Sequence, residues 1–240
     1  MTRTLADVAR EASTCTRCKL SGMGRTQVVF GVGSPVADLM FIGEAPGRNE
    51  DAQGEPFVGA AGQLLNTLLE GIGLARDDVY IANVLKSRPP GNRDPEPDEI
   101  EACTPWLVEQ ISLIQPRLIV TLGNFATRYL LQTTQGITRT RGQVYRWHDR
   151  WVIPTFHPAA ILHGGGEKSR QFQEMREDFA LVQRTMAGGS PPVVRPAPAA
   201  DRPEPAVVRS TPAPAPGQTA RSAPPLIIPE PAVEEQLGLF

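Results

Sequence analysis

The sequence predicts an α/β fold: a three-layer α/β/α sandwich with a central, mostly parallel sheet of four to five strands and a disordered C-terminal tail. Two observations predict the sandwich, because apolar runs typical of buried strands alternate with amphipathic helical stretches and glycine-containing turns follow several strands. A third observation predicts where the folded domain ends. The composition changes near Gly188, and thirteen of the 24 prolines lie from Pro191 onward. Such a segment does not bury enough surface to offset its ordering entropy.

The predicted strands and helices alternate along the chain. The strands, in chain order, are Ala37–Ile42, Asp78–Ala82, Arg117–Thr121, Gln143–Arg146 and Trp151–Thr155. Apolar residues at helical spacing predict helices over Leu64–Ile72, Pro97–Ile114, Ala126–Leu131 and Arg170–Met186. Pro105 lies inside the second of these helices, and we expect it to break or kink the first part.

Length and charge bound the organisation further. We expect a folded domain over residues 1–187, a Pro/Ala-rich linker over 188–235 and a terminal peptide over 236–240. The net charge of -2 excludes an overall basic protein, so nucleic acid would need a local basic patch. The chain shows no signal peptide and no bilayer-spanning run, and its three cysteines do not suggest a disulfide scaffold. A cytoplasmic, monomeric protein without a membrane partner is expected.

The most informative segment is the loop Gly43–Gly59, which follows the first predicted strand. Its two glycines around Pro46 allow a sharp turn and a close approach to a ligand. Two acids and an aromatic ring follow within a few residues, at the end of a strand where open α/β sheets place their chemistry. A tight strand-to-helix turn with solvated acids would show the same pattern.

Polar residues also close two other predicted strands. Pro158 restricts His157 to extended geometry after one strand, although a single histidine is more often a structural residue. Asn83 lies at the end of another predicted strand. Its amide could hydrogen-bond the edge of a base, or it could simply cap a turn. Loop cations could contact phosphates or simply be solvated. The candidates are Lys86, Arg88 and Arg141.

Four ordered motifs resemble those of family 4 uracil-DNA glycosylases, the iron–sulfur branch of the uracil-DNA glycosylase superfamily. They are Gly43-Glu44-Ala45-Pro46-Gly47 with Glu50-Asp51, Gly54–Gly59 around Phe57, Asn83-Val84 with Lys86 and Arg88-Pro89-Pro90, and His157-Pro158. The resemblance covers roughly residues 10–185. It implies a monofunctional enzyme that flips deoxyuridine out of DNA and hydrolyses its N-glycosidic bond, leaving an abasic site for base-excision repair.

The resemblance also implies how the base is held. Phe57 would stack on the flipped uracil, and Asn83 would hydrogen-bond its O4 and N3–H. Main-chain amides near Glu44 and Ala45 would help to hold the ring. Cytosine presents the opposite donor pattern to Asn83 and would be rejected.

Further roles follow from the same resemblance. His157 would stabilise the departing uracil anion, and Glu50 would position or deprotonate the attacking water, with Asp51 as the second candidate. Ile161 and Leu162 lie where related enzymes insert an apolar wedge into the vacated stack, although a helical turn packed on the core would explain them as well.

In the resembled family, four cysteines hold a [4Fe–4S] cluster. Cys15, Cys18 and Cys103 match three of them, and Ser87 stands at the remaining position. A hydroxyl is a poorer iron ligand than a thiolate. Ser87 therefore ligates through oxygen, or the cluster lacks one iron, or the cluster is absent. We favour a retained, structural cluster over a vestigial or zinc-binding pair.

The last residues resemble the bacterial sliding-clamp binding motif, a glutamine followed by leucines and a terminal phenylalanine. They are Gln236, Leu237, Leu239 and Phe240. Their place behind a long linker would tether the enzyme to newly replicated, nucleoid-associated DNA. Two other hypotheses remain: a catalytically impaired DNA- and clamp-binding iron–sulfur protein, and a nucleotide-binding α/β enzyme. The second lacks both a Gly-x-Gly-x-x-Gly fingerprint and a Walker lysine.

Overall fold

The computed structural model describes residues 3–188 and 194–196. Its strands are β1 (Val32–Gly33), β2 (Leu39–Gly43), β3 (Tyr80–Asn83), β4 (Leu118–Leu122), β5 (Val144–Trp147), β6 (Arg150–Thr155) and β7 (Val194–Pro196). Its α-helices are α1 (Leu5–Ser13), α2 (Arg48–Gln53), α3 (Ala60–Glu70), α4 (Pro97–Ile114), α5 (Gly123–Leu131), α6 (Ile137–Thr140), α7 (Pro158–His163) and α8 (Arg170–Met186). Apart from β7, the predicted linker and terminal peptide lie outside the described residues.

The described strands form one mixed sheet in the order β1-β3-β2-β4-β6-β5-β7. The four central strands β3, β2, β4 and β6 are parallel, while β1 pairs antiparallel with β3, β5 pairs antiparallel with β6, and β7 pairs parallel with β5. All five predicted strands are present, so the fold class is confirmed. The expected strand number was too low, because β1 and β7 are short outer strands without the apolar run that marks a buried strand.

Helices cover both faces of the sheet and create two apolar layers. On one face, Leu65 of α3 and Phe179 of α8 pack with Phe41 of β2. On the other face, Leu107 of α4 and Leu130 of α5 pack with the sheet. Successive side chains of a strand point to opposite faces, so the fully apolar β2 supplies both layers. This is the predicted three-layer sandwich.

Helix α4 begins at Pro97, as predicted, and runs unbroken through Pro105 to Ile114. Of the two expected effects of Pro105, the break is therefore wrong and the kink stays a prediction. The helix buries Trp106, Leu107 and Ile111 among its neighbours, and such packing outweighs the loss of one backbone hydrogen bond. None of the helices described here is long and apolar enough to span a bilayer.

The order of the strands places a crevice beside β2. The chain passes from β2 to β3 on one side and then to β4 on the other, so the strand order reverses there. Ligands of open α/β sheets bind outside the carboxyl ends of the strands at such a point. The loop after β2, the end of β3 and the residues after β6 all meet at this edge.

Candidate active site

Gly43 lies at the end of β2, directly beneath two of the predicted site residues. It pairs in register with Asn83 at the end of β3. A Cβ atom at position 43 would lie 2.7 Å from Cζ of Phe57 and would overlap Oδ1 of Asn83. Both side chains therefore lie directly over this residue, and only glycine leaves them room.

The backbone of Phe57 has a conformation that aromatic residues rarely adopt. Its φ angle is 55°, in the left-handed region. Gly62, in the first turn of α3, makes this possible, because a Cβ atom there would collide with the Phe57 carbonyl group. The resulting turn places the Phe57 ring beside His157, with ring centroids 5.6 Å apart and planes inclined by 32°.

Asn83 carries an unpaired hydrogen-bond acceptor. The residue is 2% exposed, and its Oδ1 atom has no partner within the described part of the chain. An unpaired buried acceptor costs about 1–3 kcal/mol, so nearly all such atoms in proteins are satisfied. Because this oxygen lies over Gly43 near the Phe57 ring, it marks the place of a hydrogen-bond donor on a bound ligand.

His157 has the extended backbone that Pro158 predicts, with φ -77° and ψ 132°. Its Nδ1 atom accepts a hydrogen bond of 3.2 Å from the backbone N–H of Ala159. Burial lowers the pKa of His157 to about 4, against a smaller opposite effect of the Glu50 carboxylate. The imidazole is therefore neutral at neutral pH, and we assign its proton to Nε2 because Nδ1 accepts.

The two neighbouring acids have different surroundings. Three backbone amides hold the Glu50 carboxylate, with Val58 and Gly59 donating to Oε1 at 3.0 Å and Gly47 donating to Oε2 at 3.1 Å. Asp51 is buried, and both of its oxygens accept from the backbone N–H of Thr26 at 3.0 Å. Asp51 as the second catalytic candidate is therefore wrong, since it fastens the Thr26 segment to α2.

Glu44 and Ala45 begin the loop after β2. The carbonyl of Glu44 accepts from the backbone N–H of Leu85, which joins this loop to the segment after β3. Burial, together with a smaller effect of nearby Asp94, raises the pKa of the Glu44 carboxyl to about 7. Ala45 packs against the apolar group around Cys103. The loop thus connects the candidate site to the cysteine region.

The three cysteines are free thiols near one another. Cys18 packs on the group that contains Cys103, and burial, with smaller effects of Cys18 and Cys15, raises the pKa of the Cys103 thiol to about 11. Trp106 Nε1 lies 3.3 Å from Cys15 Sγ, and the backbone N–H of Lys86 lies 3.5 Å from Cys103 Sγ. Two of the sulfur atoms therefore accept hydrogen bonds.

The chain was also compared with known proteins. Residues 30–180 match the family model of the uracil DNA glycosylase superfamily. A type-4 uracil-DNA glycosylase of Archaeoglobus fulgidus is 49% identical over 188 residues, covering 74% of this chain and 91% of that protein. Those of Sulfurisphaera tokodaii and Thermotoga maritima are 46% and 43% identical, covering 75% and 68% of this chain and 83% and 86% of their own lengths. The chain belongs to the type-4 uracil-DNA glycosylases.

Cys15, Cys18 and Cys103 of this type-4 uracil-DNA glycosylase supply three thiols, and Ser87 stands at the fourth position that the family resemblance implies for a cluster. Thiolates are the ligands such clusters need, and hydrogen bonds to the sulfurs tune them. At the fourth position, the buried Ser87 Oγ accepts a hydrogen bond of 2.9 Å from Arg25, which also donates to the carbonyl of Cys15. Within residues 3–188, no three cysteine, histidine or acidic side chains are placed to hold a single metal ion.

One of the three predicted phosphate contacts of the glycosylase, Lys86, is wrong. Lys86 is 2% exposed and donates to two buried oxygens, and burial lowers its pKa to about 7. The side chain of Arg141 is 15% exposed and is paired with Asp178. Lys86 is therefore held inside the domain, out of reach of a phosphate, whereas the DNA contact of the partly exposed Arg141 stays a prediction. Arg88 is partly exposed and donates to Asn92, so its DNA contact stays a prediction.

The two wedge candidates, which both lie on α7, differ in their burial. Ile161 is fully buried against the core, so its prediction as a wedge is wrong. Leu162 is 39% exposed on the same helix, a few residues after His157. Side chains at neighbouring positions of a helix point about 100° apart. Because Ile161 faces the core, Leu162 faces away from it.

Sequence reasoning missed several residues that shape the glycosylase site. The roles of Gly62 and Arg25 depend on contacts with distant segments and leave no local signal. Gln110 leaves one: it is a polar residue next to Leu107 and Ile111, on the apolar face of the predicted helix. Such a residue is buried only with hydrogen-bond partners, so it indicates a polar network.

Proposed function

We propose that the pocket over Gly43 binds an extruded uracil and that the chain hydrolyses its N-glycosidic bond in DNA. One observation supports this most strongly, the unpaired Oδ1 of Asn83. The N3–H of uracil would donate to this oxygen, and its O4 would accept from the Asn83 amide nitrogen. Cytosine carries an acceptor at N3 and a donor at N4, so it would leave both groups of the amide unpaired.

The Phe57 ring would stack on the flipped base. Stacking of a base on an aromatic ring contributes about 1–3 kcal/mol, which helps to offset the few kcal/mol needed to leave the duplex. Because the left-handed turn and Gly62 hold the Phe57 backbone, the ring is already in place before DNA binds. This preorganisation lowers the entropy lost on binding.

His157 would stabilise the leaving group. Breaking the glycosidic bond places negative charge on uracil, and a neutral imidazole that carries its proton on Nε2 can donate to O2 as this charge develops. The ring lies beside Phe57, within the same pocket.

Glu50 would position the attacking water and stabilise the positive sugar. A carboxylate has about four lone-pair sites, and the three backbone amides use two on Oε1 and one on Oε2. The remaining site on Oε2 is available to a water molecule. The same amides hold the carboxylate in one orientation, which is what positioning of a nucleophile requires.

The experiment is single-turnover release of uracil from a deoxyuridine oligonucleotide, with a matched deoxycytidine oligonucleotide. We expect release from the first only, and a rate about 5- to 150-fold slower for Asn83→Ala, from the loss of about 1–3 kcal/mol of base-edge hydrogen bonds. Gln63→Ala, which shortens an exposed amide on α3, is the control and should match the wild type. Equal rates for Asn83→Ala and Gln63→Ala would refute the proposed reading of the base.

A [4Fe–4S] cluster on Cys15, Cys18 and Cys103 is part of the proposal. It would join the Cys15–Cys18 segment to α4 and would act structurally. Ser87 would either ligate iron through oxygen or leave one corner without a protein ligand. Iron content of anaerobically purified protein tests this: we expect three or four irons per chain and four in Ser87→Cys. Iron-free wild-type protein would contradict it.

Two proposals concern partners. Leu162 would insert into the vacated base stack, and Arg88 would contact a phosphate. The terminal motif Gln236–Phe240, which lies outside the described residues, would bind a sliding clamp in the cytoplasm. Deleting residues 236–240 should abolish clamp binding and leave uracil release from a short oligonucleotide unchanged. Unchanged clamp affinity would contradict the second proposal.

A further inference from the structure

Lys86 is a buried cation with no role in the chemistry described above. Its Nζ donates to the backbone carbonyl of Asn83 at 2.8 Å and to Oε1 of Gln110 at 2.5 Å. Nζ also lies 5.8 Å from the centre of the Phe30 ring. It forms no ion pair with a carboxylate among the described residues. A buried amine is tolerated only where its donors find acceptors, and these two oxygens accept two of its hydrogens.

Gln110 has a fixed orientation. Its Nε2 donates to the carbonyl of Phe30 at 2.9 Å and to the hydroxyl of Tyr80 at 3.0 Å, which uses both of its hydrogens. If the Gln110 amide were rotated by 180°, its oxygen would face the Phe30 carbonyl oxygen, and the Phe30 carbonyl would lose its hydrogen-bond donor. Oε1 must therefore face Lys86, and the ammonium group is held between α4 and the end of β3.

Asn83 takes its orientation from its backbone. Its side-chain Oδ1 has no hydrogen-bond partner in the described structure that could hold the amide in place. On one side, the backbone N–H of Val84 donates to the carbonyl of Gly43 at 2.9 Å. On the other side, Lys86 holds the carbonyl of Asn83. The peptide that carries the base-reading side chain is thus held from both sides.

We propose that Lys86 is a positioning residue, whose bond to the Asn83 carbonyl aims the Asn83 amide at the base. The inference rests on the proposed function of the pocket. It replaces the predicted phosphate contact of Lys86 with a role inside the domain. Lys86 acts on the reaction only through the Asn83 amide. Once that amide has been removed, loss of the Lys86 side chain should therefore have little further effect on the rate of uracil release.

A double-mutant cycle tests this requirement. Lys86→Met is made in the wild type and in Asn83→Ala, and single-turnover uracil release is followed over hours in the slow variants. We expect Lys86→Met to slow release at least tenfold in the wild type and less than twofold in Asn83→Ala. The dissociation constant for DNA that contains an abasic site should stay within twofold in both, because this DNA carries no base to read.

The same slowing in both backgrounds would overturn the proposal, as would a wild-type rate in folded Lys86→Met. If Lys86→Met does not fold, Lys86→Gln is measured in the same cycle, since its shorter amide keeps a donor but shifts it away from the Asn83 carbonyl. The rate of the unmutated protein distinguishes failure of the proposed function from failure of the proposed role of Lys86. If the unmutated protein releases no uracil, the proposed function fails. If it is active and Lys86→Met slows release by the same factor in the wild type and in Asn83→Ala, only the role of Lys86 is refuted.

Discussion

Replacing Arg141 by methionine distinguishes its structural role from the predicted DNA contact. Arg141 donates through Nε and Nη2 to the two oxygens of Asp178 at 3.0 and 2.7 Å, and Nη2 also donates to the carbonyl of Glu174. Thr155, two residues before His157, donates to the same carboxylate at 2.7 Å. Asp178 is 1% exposed, so Arg141→Met leaves an unpaired charge in the interior.

The expected loss of stability is large. Removing one partner of a buried ion pair costs about 3–5 kcal/mol. A domain of this size loses about 2–4 °C of Tm per kcal/mol, so Tm should fall by about 6–20 °C. Arg141→Met with Asp178→Leu should recover most of this loss, because no buried charge remains unpaired.

The effect should also depend on pH. Burial raises the pKa of Asp178 to about 6, while Arg141 and Thr155 act to lower it. Without Arg141 the pKa rises further above the unfolded value of about 3.9. A group whose pKa is raised in the folded state supports stability below the unfolded pKa and loses that contribution as pH rises through the folded pKa. Arg141→Met should therefore be more destabilised at pH 8 than at pH 5.

Thermal unfolding and DNA binding at several salt concentrations are the assays. An arginine that contacts a phosphate predicts the opposite pattern, an unchanged Tm and a salt dependence of binding reduced by about one ion. A Tm within 2 °C of the wild type (roughly the change for 1 kcal/mol) together with a reduced salt dependence would refute the buried ion pair.

Three further predictions concern the pocket. Gly43→Ala should abolish uracil release in a folded domain, because its methyl group overlaps Oδ1 of Asn83; wild-type rates would contradict this close approach. Glu50→Gln should slow single-turnover release at least 100-fold, whereas Asp51→Ala should lower the free energy of unfolding by about 1–3 kcal/mol without such a loss of rate, and the reverse assignment would exchange the effects on the rate. The NMR signals of the His157 imidazole should show no titration near pH 6.5 and should shift only as pH approaches 4, where His157 gains a proton; titration of this ring near 6.5 would show an imidazole with an ordinary pKa.

The positions of the main elements could be predicted because their signals are local. The period of apolar residues placed all five predicted strands within two residues of the observed bounds, and Pro97 marked the start of α4. Pro105 shows the limit of such rules, since contacts made by the rest of α4 outweigh the tendency of one residue to end a helix. The short outer strands β1 and β7 are formed by pairing with neighbours and carry no comparable pattern.

The candidate site could be predicted as a set of residues but not as a set of contacts. Asn83, Phe57 and His157 meet as expected, because their segments end parallel strands at one edge of the sheet. Which neighbour of Glu50 faces inward, and which of Ile161 and Leu162 is buried, depends on how each helix packs. A pair of adjacent residues looks alike in sequence and becomes different only when one side of its helix meets the core.

The sequence alone determined the fold class, the family and the segments that meet at the pocket, because hydrophobic period and motif order are properties of short stretches. Only the tertiary structure decided that Lys86 lies inside the domain and that Arg141 pairs with a buried acid. Their partners, Gln110 and Asp178, are 24 and 37 residues away along the chain. A basic side chain in a loop is equally compatible with solvent, DNA or a buried acceptor, and the choice depends on which distant segment packs against it.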